Sequence, residues 1–398
     1  MFEDIVWSSA RVEAAKAGAD LTSSVEQNDD DSFAVEGAKI GSTLRIRLPD
    51  RALVTDGAAL QVQDDNEQFT TLAVNNQKHI GVNFTSAELT MQLDDFAERV
   101  LKPRISQLAS SIDADVANSY KGVFSTVGTP GTTPATSLVL LQAQQKLNEY
   151  AAMMPNRYAT VNPAANAGLV EGMKGLFNPV DTISRQFKNG MMGEGVLGYE
   201  EINMSQSIKL HTCGSRVATG ATVNGNASEG ASTIVLASAG NALTFTVGDV
   251  FTVADCFSVN PQTRESTGSL QQFTVTAANT STSGGAVTLA VSPALYSPTN
   301  ALASVSTLTI TGKAVVFVGA ASTAYPQNLV YHKDAISFAT ADLLMPSGVD
   351  MASRQVHNGI SMRIVRQYDI NNDRLPCRID VLYGYSVIRP QMACRIWG

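Results

Sequence analysis

The sequence predicts an α+β fold interrupted by an all-β insertion, and three observations carry that prediction. Leu93, Phe96, Val100, Leu101, Ile105, Leu108, Ile112 and Val116 recur at three- and four-residue spacings, which marks one long amphipathic helix. Segments on both sides of it, among them STLRIRL at 42–48 and the stretches 360–368 and 378–388, have strand character. The composition then changes abruptly near Arg216. From there to Gly312 the only charged residues are Arg216, Glu229, Asp249, Asp255, Arg264 and Glu265, in a Ser/Thr/Ala/Gly/Val background.

The elements follow in chain order. Residues 2–19 alternate apolar and charged positions at helical spacing until Gly18 and the polar run 27–31 break the pattern, so an arm with one short helix is expected. STLRIRL alternates with period two, and TTLAV (70–74) and HIGVNF (79–84) follow an acidic stretch centred on Asp64 and Asp65. Together they predict an extended hairpin. A two-stranded ribbon is marginal in water, so this one must lie on something else, and another chain is the candidate.

The long helix contains Pro103, which kinks it or starts a second segment, because the ring removes a backbone donor. A Gly/Thr/Pro loop at 128–134 precedes a second helix over 137–153, and RYATV at 157–161 reads as a buried strand. Asn162-Pro163 ends that strand and opens a helix toward Leu176. In the insertion, STIVLA, LTFTV, DVFTVA, QQFTVTAA, AVTLAV and STLTIT read as six short strands. Closure into a small barrel is the simplest way to protect their edges. Mixed composition resumes after Lys313, so the host domain is split and its halves must meet.

Charge and motifs exclude several classes of function. With 398 residues, 44% hydrophobic and 16% charged, the chain is long enough for two domains or for one with a large insertion, and too apolar for a disordered tail. No run of about 18 apolar residues exists to span a membrane, and the start Met1-Phe2-Glu3-Asp4 lacks a signal-peptide pattern, so a soluble chain folding in the cytoplasm is expected. Lys and Arg total 28 against 36 Asp and Glu, so the net charge of −8 provides no basic field to gather nucleic acid. Cys213, Cys256, Cys377 and Cys394 form no C-x-x-C and read as packing residues.

GEGVLG at 193–198 matches a dinucleotide string without the strand before it or the helix after it, so it reads as a glycine loop. Asp369, Asn371, Asp373 and Asp380 imitate a calcium loop, but Arg374 stands where the sharp turn needs glycine, and a hairpin turn is the better account. His79, His211, His332 and His357 are isolated and read as structural or surface residues. The pairs Asp29-Asp30, Asp64-Asp65 and Asp94-Asp95 read as turns and helix starts. No catalytic residue, cofactor or metal site is predicted, and the chain is not expected to be an enzyme.

In order, the chain runs arm, hairpin, long helix, α/β middle, low-charge β insertion and β-rich tail. The stretches that carry a resemblance are DDFAERVLKPRISQLASSIDADVANSY, NRYATVNPAANAGLVEGMKGLF, LTFTVGDVFTVADC with QQFTVTAA, and NLVYHKDAISFATADL with CRIDVLYGYSVIRPQMACRIWG. This order resembles the major capsid proteins of tailed bacteriophages with the Hong Kong 97 type fold, and most closely the P22-like coat proteins that carry an insertion domain. The resemblance implies an N-terminal arm at 1–35, an extended loop at 36–85 and a spine helix at 86–122. It also implies an axial domain at 123–214 resuming at 315–330, a β-barrel insertion at 215–314 and a peripheral sheet at 331–398.

The function so implied is a coat subunit, self-assembling through hexamers and pentamers into an icosahedral virion shell around double-stranded DNA. Its implied partners are other copies of itself, a scaffolding protein, a portal at one vertex and optionally a decoration protein, with no membrane and no sequence-specific DNA contact. Contact candidates between subunits are Arg45, Arg47, Arg51, Asp56, Asp64, Asp65 and Glu67 on the hairpin, suited to orienting contacts. The family's long insertion loop is much shortened at 219–232, so Arg264 and Glu265 in the 261–269 loop are the alternative bridge. Two other readings compete: an encapsulin-like compartment shell, and a tail-associated carbohydrate-binding β protein. The second is poorly served by a chain whose two tryptophans, Trp7 and Trp397, both lie outside the insertion.

Overall fold

The computed structural model describes residues 26–27, 43–55, 57–58, 62–63, 68–85, 102–172, 193–357 and 360–398. The arm helix, the acidic stretch at 64–66, the first half of the spine helix and the end of the helix expected toward Leu176 lie outside the described residues. The chain divides into two units, each assembled from separate stretches of sequence. One combines Met1–Ile46, Phe69–Ala117 and Ile336–Ser386, and the other Arg47–Gln68, Asn118–Ala335 and Val387–Gly398. No helix among the described residues is long and apolar enough to cross a membrane.

The first unit is built on a sheet whose strands run in the order Glu26–Gln27, Ile336–Ala341, Arg374–Val387, Ile360–Arg366, Met351–His357. Asn76–Thr85 pairs antiparallel with Arg374–Val387 over ten positions, from Asn76 opposite Tyr383 to Thr85 opposite Arg374. HIGVNF therefore belongs to this sheet and not to the hairpin the sequence suggested. Its period-two pattern is real, with Lys78, Ile80 and Val82 turned inward between exposed Gln77, His79 and Gly81. Alternation fixes a strand's faces and leaves its neighbour open.

Helix α1 (Lys102–Val116) buries Ile105, Leu108, Ile112 and Val116, as their spacing predicts, and a 3₁₀ turn continues it over Ala117–Gly122. Pro103 is the second residue of this span, and the choice between kink and break lies outside the described residues. Polar ties lock the helix to the Asn76–Thr85 strand. Lys78 Nζ meets Asp115 at 2.7 Å and donates to the Ser111 carbonyl at 2.8 Å, while Arg104 donates to the Gly81 carbonyl at 2.9 Å.

The hairpin itself is a two-stranded ribbon of Thr43–Arg47 and Phe69–Ala73. Its root does not wait for another chain. Leu44, Leu72 and Val74 bury against Ala339, with Ala341 and Leu382 alongside, all within this unit. Close approach requires Gly384, where any Cβ would collide with the carbonyl oxygen of Ala73.

The second unit has two cores. A sheet runs in the order Thr126–Val127, Ala393–Trp397, Ala324–His332, Arg157–Val161, Tyr199–Met204, Gly193–Val196, with Leu210–Thr212 pairing on the start of Ala324–His332. Helices α2 (Ser137–Glu149) and α3 (Pro163–Gly172) cover it, placing Leu140, Ala143, Leu147, Ala165 and Leu169 on Ala159, Val161, Ile202, Val330 and Ile396. Asn162 caps α3, its Oδ1 accepting the Ala165 N–H at 2.8 Å, and Pro163 takes the first helical position. The GEGVLG segment is a hairpin in this sheet, with Leu197 and Gly198 both at positive φ between the paired Val196 and Tyr199.

Two boundaries shift here. The final strand, Ala393–Trp397, was expected in the peripheral sheet at 331–398, but it lies inside this sheet between Thr126–Val127 and Ala324–His332. All five of its residues are buried, as a central strand demands. The expected single strand near 328–341 is two, broken by a 3₁₀ turn at Lys333–Ala335 that sends its halves into different sheets.

The insertion is a closed barrel. Its strand order is Thr222–Val223, Ala231–Ala237, Val287–Leu295, Ser266–Val275, Val250–Val259, Val315–Phe317. The Val223 N–H to Lys313 carbonyl bond (2.9 Å) and the Val315 N–H to Ala221 carbonyl bond (2.9 Å) join the last strand to the first. Val315–Phe317, expected to begin the return to the axial domain, is thus a barrel strand. STLTIT forms no strand. It lies across the barrel as a cover, with Ile310 1% exposed, Leu308 packed on the core and the Ala227 N–H donating to the Leu308 carbonyl. Phe251 anchors the interior, 5.6 Å from Phe273 and 5.1 Å from Phe317 between ring centroids.

Candidate assembly surfaces

The ribbon holds its first candidate by a ring contact. Arg45 lies over Phe69 of the opposite strand, 3.7 Å from the ring centroid, on a face open to solvent. Arg47 is exposed on the same strand. Arg51 is half-buried, and its pKa is pulled down first by that burial and then by the neighbouring positive charge of Arg389. Asp56, Asp64, Asp65 and Glu67 lie outside the described residues.

Arg264 and Glu265 sit in a tight turn joining Val250–Val259 to Ser266–Val275. The Asn260 side chain accepts the N–H groups of Gln262 (2.8 Å) and Thr263 (3.1 Å), and its backbone exchanges bonds with Arg264 and Glu265. Arg264 adopts φ +59° and donates from Nη2 to the Ala52 carbonyl of its own chain at 2.7 Å. Glu265 is exposed beside it. The structure therefore brings Arg264 together with the Arg47–Gln68 stretch that holds Arg51, and leaves Arg45 on the ribbon.

Among the described residues, several charged side chains are fully buried and paired. Asp249 is fully buried at the start of a barrel strand, 3.2 Å from His211 Nε2 and 3.4 Å from Arg216 Nε, and accepts the Thr246 N–H at 2.9 Å. Burial pushes its carboxyl up, but the His211 hydrogen bond and Arg216 outweigh that and hold it below the ordinary carboxylate value. Arg395, fully buried on the last strand, donates to the Val123 carbonyl (2.7 Å), the Gly248 carbonyl (2.8 Å) and Thr274 Oγ1 (2.9 Å). One guanidinium thus joins the helix-covered sheet to the barrel, and burial lowers its pKa to about 10. In the first unit, Asp380 is likewise buried between Arg363 (2.7 Å) and Arg378 (2.6 Å), so the residue at the last position of the calcium-like string is already neutralised. That string's turn is a hairpin end, closed by the Asp369 to Arg374 bridge.

His211, Cys213 and Asp249 lie near enough together to suggest a metal centre. The donor set does not fit one. Asp249 is already ion-paired with Arg216 and hydrogen-bonded to His211 and to backbone N–H groups, and burial pushes the Cys213 thiol up to about 11, so it stays protonated. The cluster is an ion-pair joint. One signal for it was present in the sequence: Arg216 and Asp249 are two of the few charges kept in a segment that otherwise lacks them. The four cysteines are free and buried.

A family model described as P22 coat protein, gene protein 5, matches residues 39–398. Solved structures similar to the chain include one of Mycobacterium phage Che8, 10% identical, covering 94% of this chain and 89% of that one with a TM-score of 0.47. The capsid structure of cyanophage P-SCSP1u is 12% identical over 94% of this chain and 85% of that one, TM-score 0.43. The asymmetric unit of the bacteriophage PhiM1 mature capsid is 12% identical over 90% and 82%, TM-score 0.44. No curated protein sequence matches the chain.

Proposed function

The chain belongs to the P22 coat protein family, and from that premise we infer that its copies tile through hexamers and pentamers into an icosahedral shell around double-stranded DNA. It is a major capsid protein of a tailed bacteriophage, and we read its fold as the Hong Kong 97 type and its role as structural. The observation that carries the function is a family match spanning residues 39–398.

Physical features support the tiling. Heterologous contacts repeated around a ring need exposed surfaces, and the loop between the ribbon strands supplies one. Val54 and Val62 on that loop are 89% and 84% exposed, an arrangement that favours burial against a partner. Arg45, Arg47, Arg51 and Glu265 give it charges for orientation, each exposed ion pair contributing about 0 to 1 kcal/mol. Weak repeated contacts let misplaced subunits leave. A scaffolding protein would set curvature, a portal would occupy one vertex, and a decoration protein would add only to the finished outer surface. With a net charge of −8 the wall would enclose DNA without reading it, and assembly would take place in the host cytoplasm.

An encapsulin-like shell is not favoured by a coat-protein family. The carbohydrate-binding reading loses its described tryptophan, since Trp397 is buried in the central sheet. Negative-stain electron microscopy of the purified chain, alone and co-expressed with a scaffolding partner, tests the proposal. Closed particles or curved sheets are expected. Small discrete oligomers under both conditions would overturn it.

A further inference from the structure

We propose that Arg264 is a positioning residue for assembly, tying the extended loop to the barrel of the same chain so that Val54 and Val62 meet a second copy in a fixed shape. The proposal rests on the capsid reading and adds to it the device that presets the loop.

Four observations converge on it. The turn that carries Arg264 is rigid, because Asn260 caps it from inside and anchors it to α2 through a bond from its Nδ2 to the Glu149 carbonyl at 3.0 Å. Within this turn an arginine occupies φ +59°, a conformation that glycine adopts freely and an arginine adopts under strain. Backbone strain of that kind persists where the side chain is needed. The side chain is used, since its guanidinium reaches the Ala52 carbonyl at 2.7 Å.

The next residue, Leu53, is held from the other side of the loop. Its N–H donates to Gln63 Oε1 at 2.7 Å and its carbonyl accepts from Gln63 Nε2 at 2.6 Å, so a side-chain amide imitates a strand pair. Val54 and Val62 are the chain neighbours of this clamp and are almost fully exposed. Each exposed valine thus adjoins a residue whose position the arginine or the glutamine fixes. A second copy is the occupant, because a shell subunit meets its own kind at every ring position, and presetting the loop removes ordering cost from each contact.

The test compares the wild type with Arg264→Gly, Arg264→Lys and Gln63→Leu. The readouts are the thermal midpoint of the unassembled subunit, hydrogen exchange of the Leu53 amide, and the assembly rate by light scattering at matched concentration. Arg264→Gly is expected to keep or raise the midpoint, since glycine relaxes the turn, and to assemble about tenfold more slowly, the factor set by one charge-assisted hydrogen bond. Arg264→Lys keeps a donor and should recover most of the rate. Gln63→Leu leaves the barrel untouched, so it should speed Leu53 exchange, slow assembly and spare the midpoint, which keeps the test decisive even if Arg264→Gly misfolds. Wild-type assembly rates in both Arg264→Gly and Gln63→Leu would overturn the proposal. A folded wild type that never forms shells would instead overturn the capsid reading beneath it.

Discussion

The insertion barrel and the extended ribbon are both built of β-strands, yet only the barrel completes itself. In the barrel the first and last strands bond to each other, and Phe251, Phe273, Phe317, Leu289 and Val305 fill an interior sealed by the 306–311 cover. The ribbon buries Leu44, Leu72 and Val74 at its root, then leads into a loop whose valines face solvent. Closure removes strand edges and the need for a partner; an open ribbon keeps both. One region closes on itself and the other leaves its edges and its loop valines open.

The hardest blow to that contrast is aimed at the barrel. Phe251→Ala deletes the ring that touches both Phe273 and Phe317, and should cost about 3 to 5 kcal/mol. Denaturant unfolding of the subunit would measure it. A loss below about 1 kcal/mol would show that the barrel does not depend on its aromatic centre.

Next comes the buried charge. Asp249→Asn removes the anion that balances Arg216 and should cost about 3 kcal/mol, because a guanidinium is left buried and uncompensated. The pH dependence has a definite sign. Asp249 and Asp380 are both held below the ordinary carboxylate value, so the stability they contribute is present above about pH 4 and lost as the pH falls through their lower folded values. Unfolding free energies between about pH 2 and 6 should fall with acid in the wild type, and less steeply in Asp249→Asn. An identical slope in the variant would remove Asp249 from the account.

A smaller effect is expected at the ribbon root. Leu72→Ala opens a gap against Ala339 and Leu382 and should cost about 2 kcal/mol, the low end for a buried leucine, because a ribbon can settle onto its sheet where a closed barrel cannot. A cost equal to that of Phe251→Ala would erase the distinction between the two regions.

What the sequence made legible follows the same division. Four barrel strands could be read because STIVLA, DVFTVA, QQFTVTAA and AVTLAV are apolar-rich and bounded by turn residues, whereas LTFTV pairs in a separate two-stranded sheet; α1 could be read because Ile105, Leu108, Ile112 and Val116 keep helical spacing. A period-two pattern gives faces without partners, so the alternation at 79–84 suits a ribbon as well as the sheet it joins, while the last strand, buried at all five positions, carries no alternation that names its sheet. STLTIT shows the converse, since an irregular cover also turns alternate residues inward. The pairing of the buried ion joints is hidden for a different reason, although the few charges kept in the insertion mark two of their members. His211, Arg216 and Asp249 meet across 33 to 38 residues of chain, and Arg395 reaches Gly248 across 147, so no local spacing could announce them. Of the contact candidates, Arg264 and Arg51 share a region through a turn and a loop that no periodicity connects.

The smallest effect on the subunit is the most informative about the shell. Val54 is 89% exposed and touches no core, so Val54→Asp should change unfolding free energy by no more than about 0.5 kcal/mol. The same charge placed in an apolar contact between copies would be desolvated without a partner, a cost paid once at every repeated interface. Normal subunit stability with assembly abolished is therefore expected, read by calorimetry and by sedimentation of assembled particles. The barrel variants predict the opposite order of events, in which the subunit fails first and assembly only as a consequence. If Val54→Asp assembled at the wild-type rate, the exposed loop would be an inert surface, and the partner-seeking part of the molecule would have to be found elsewhere.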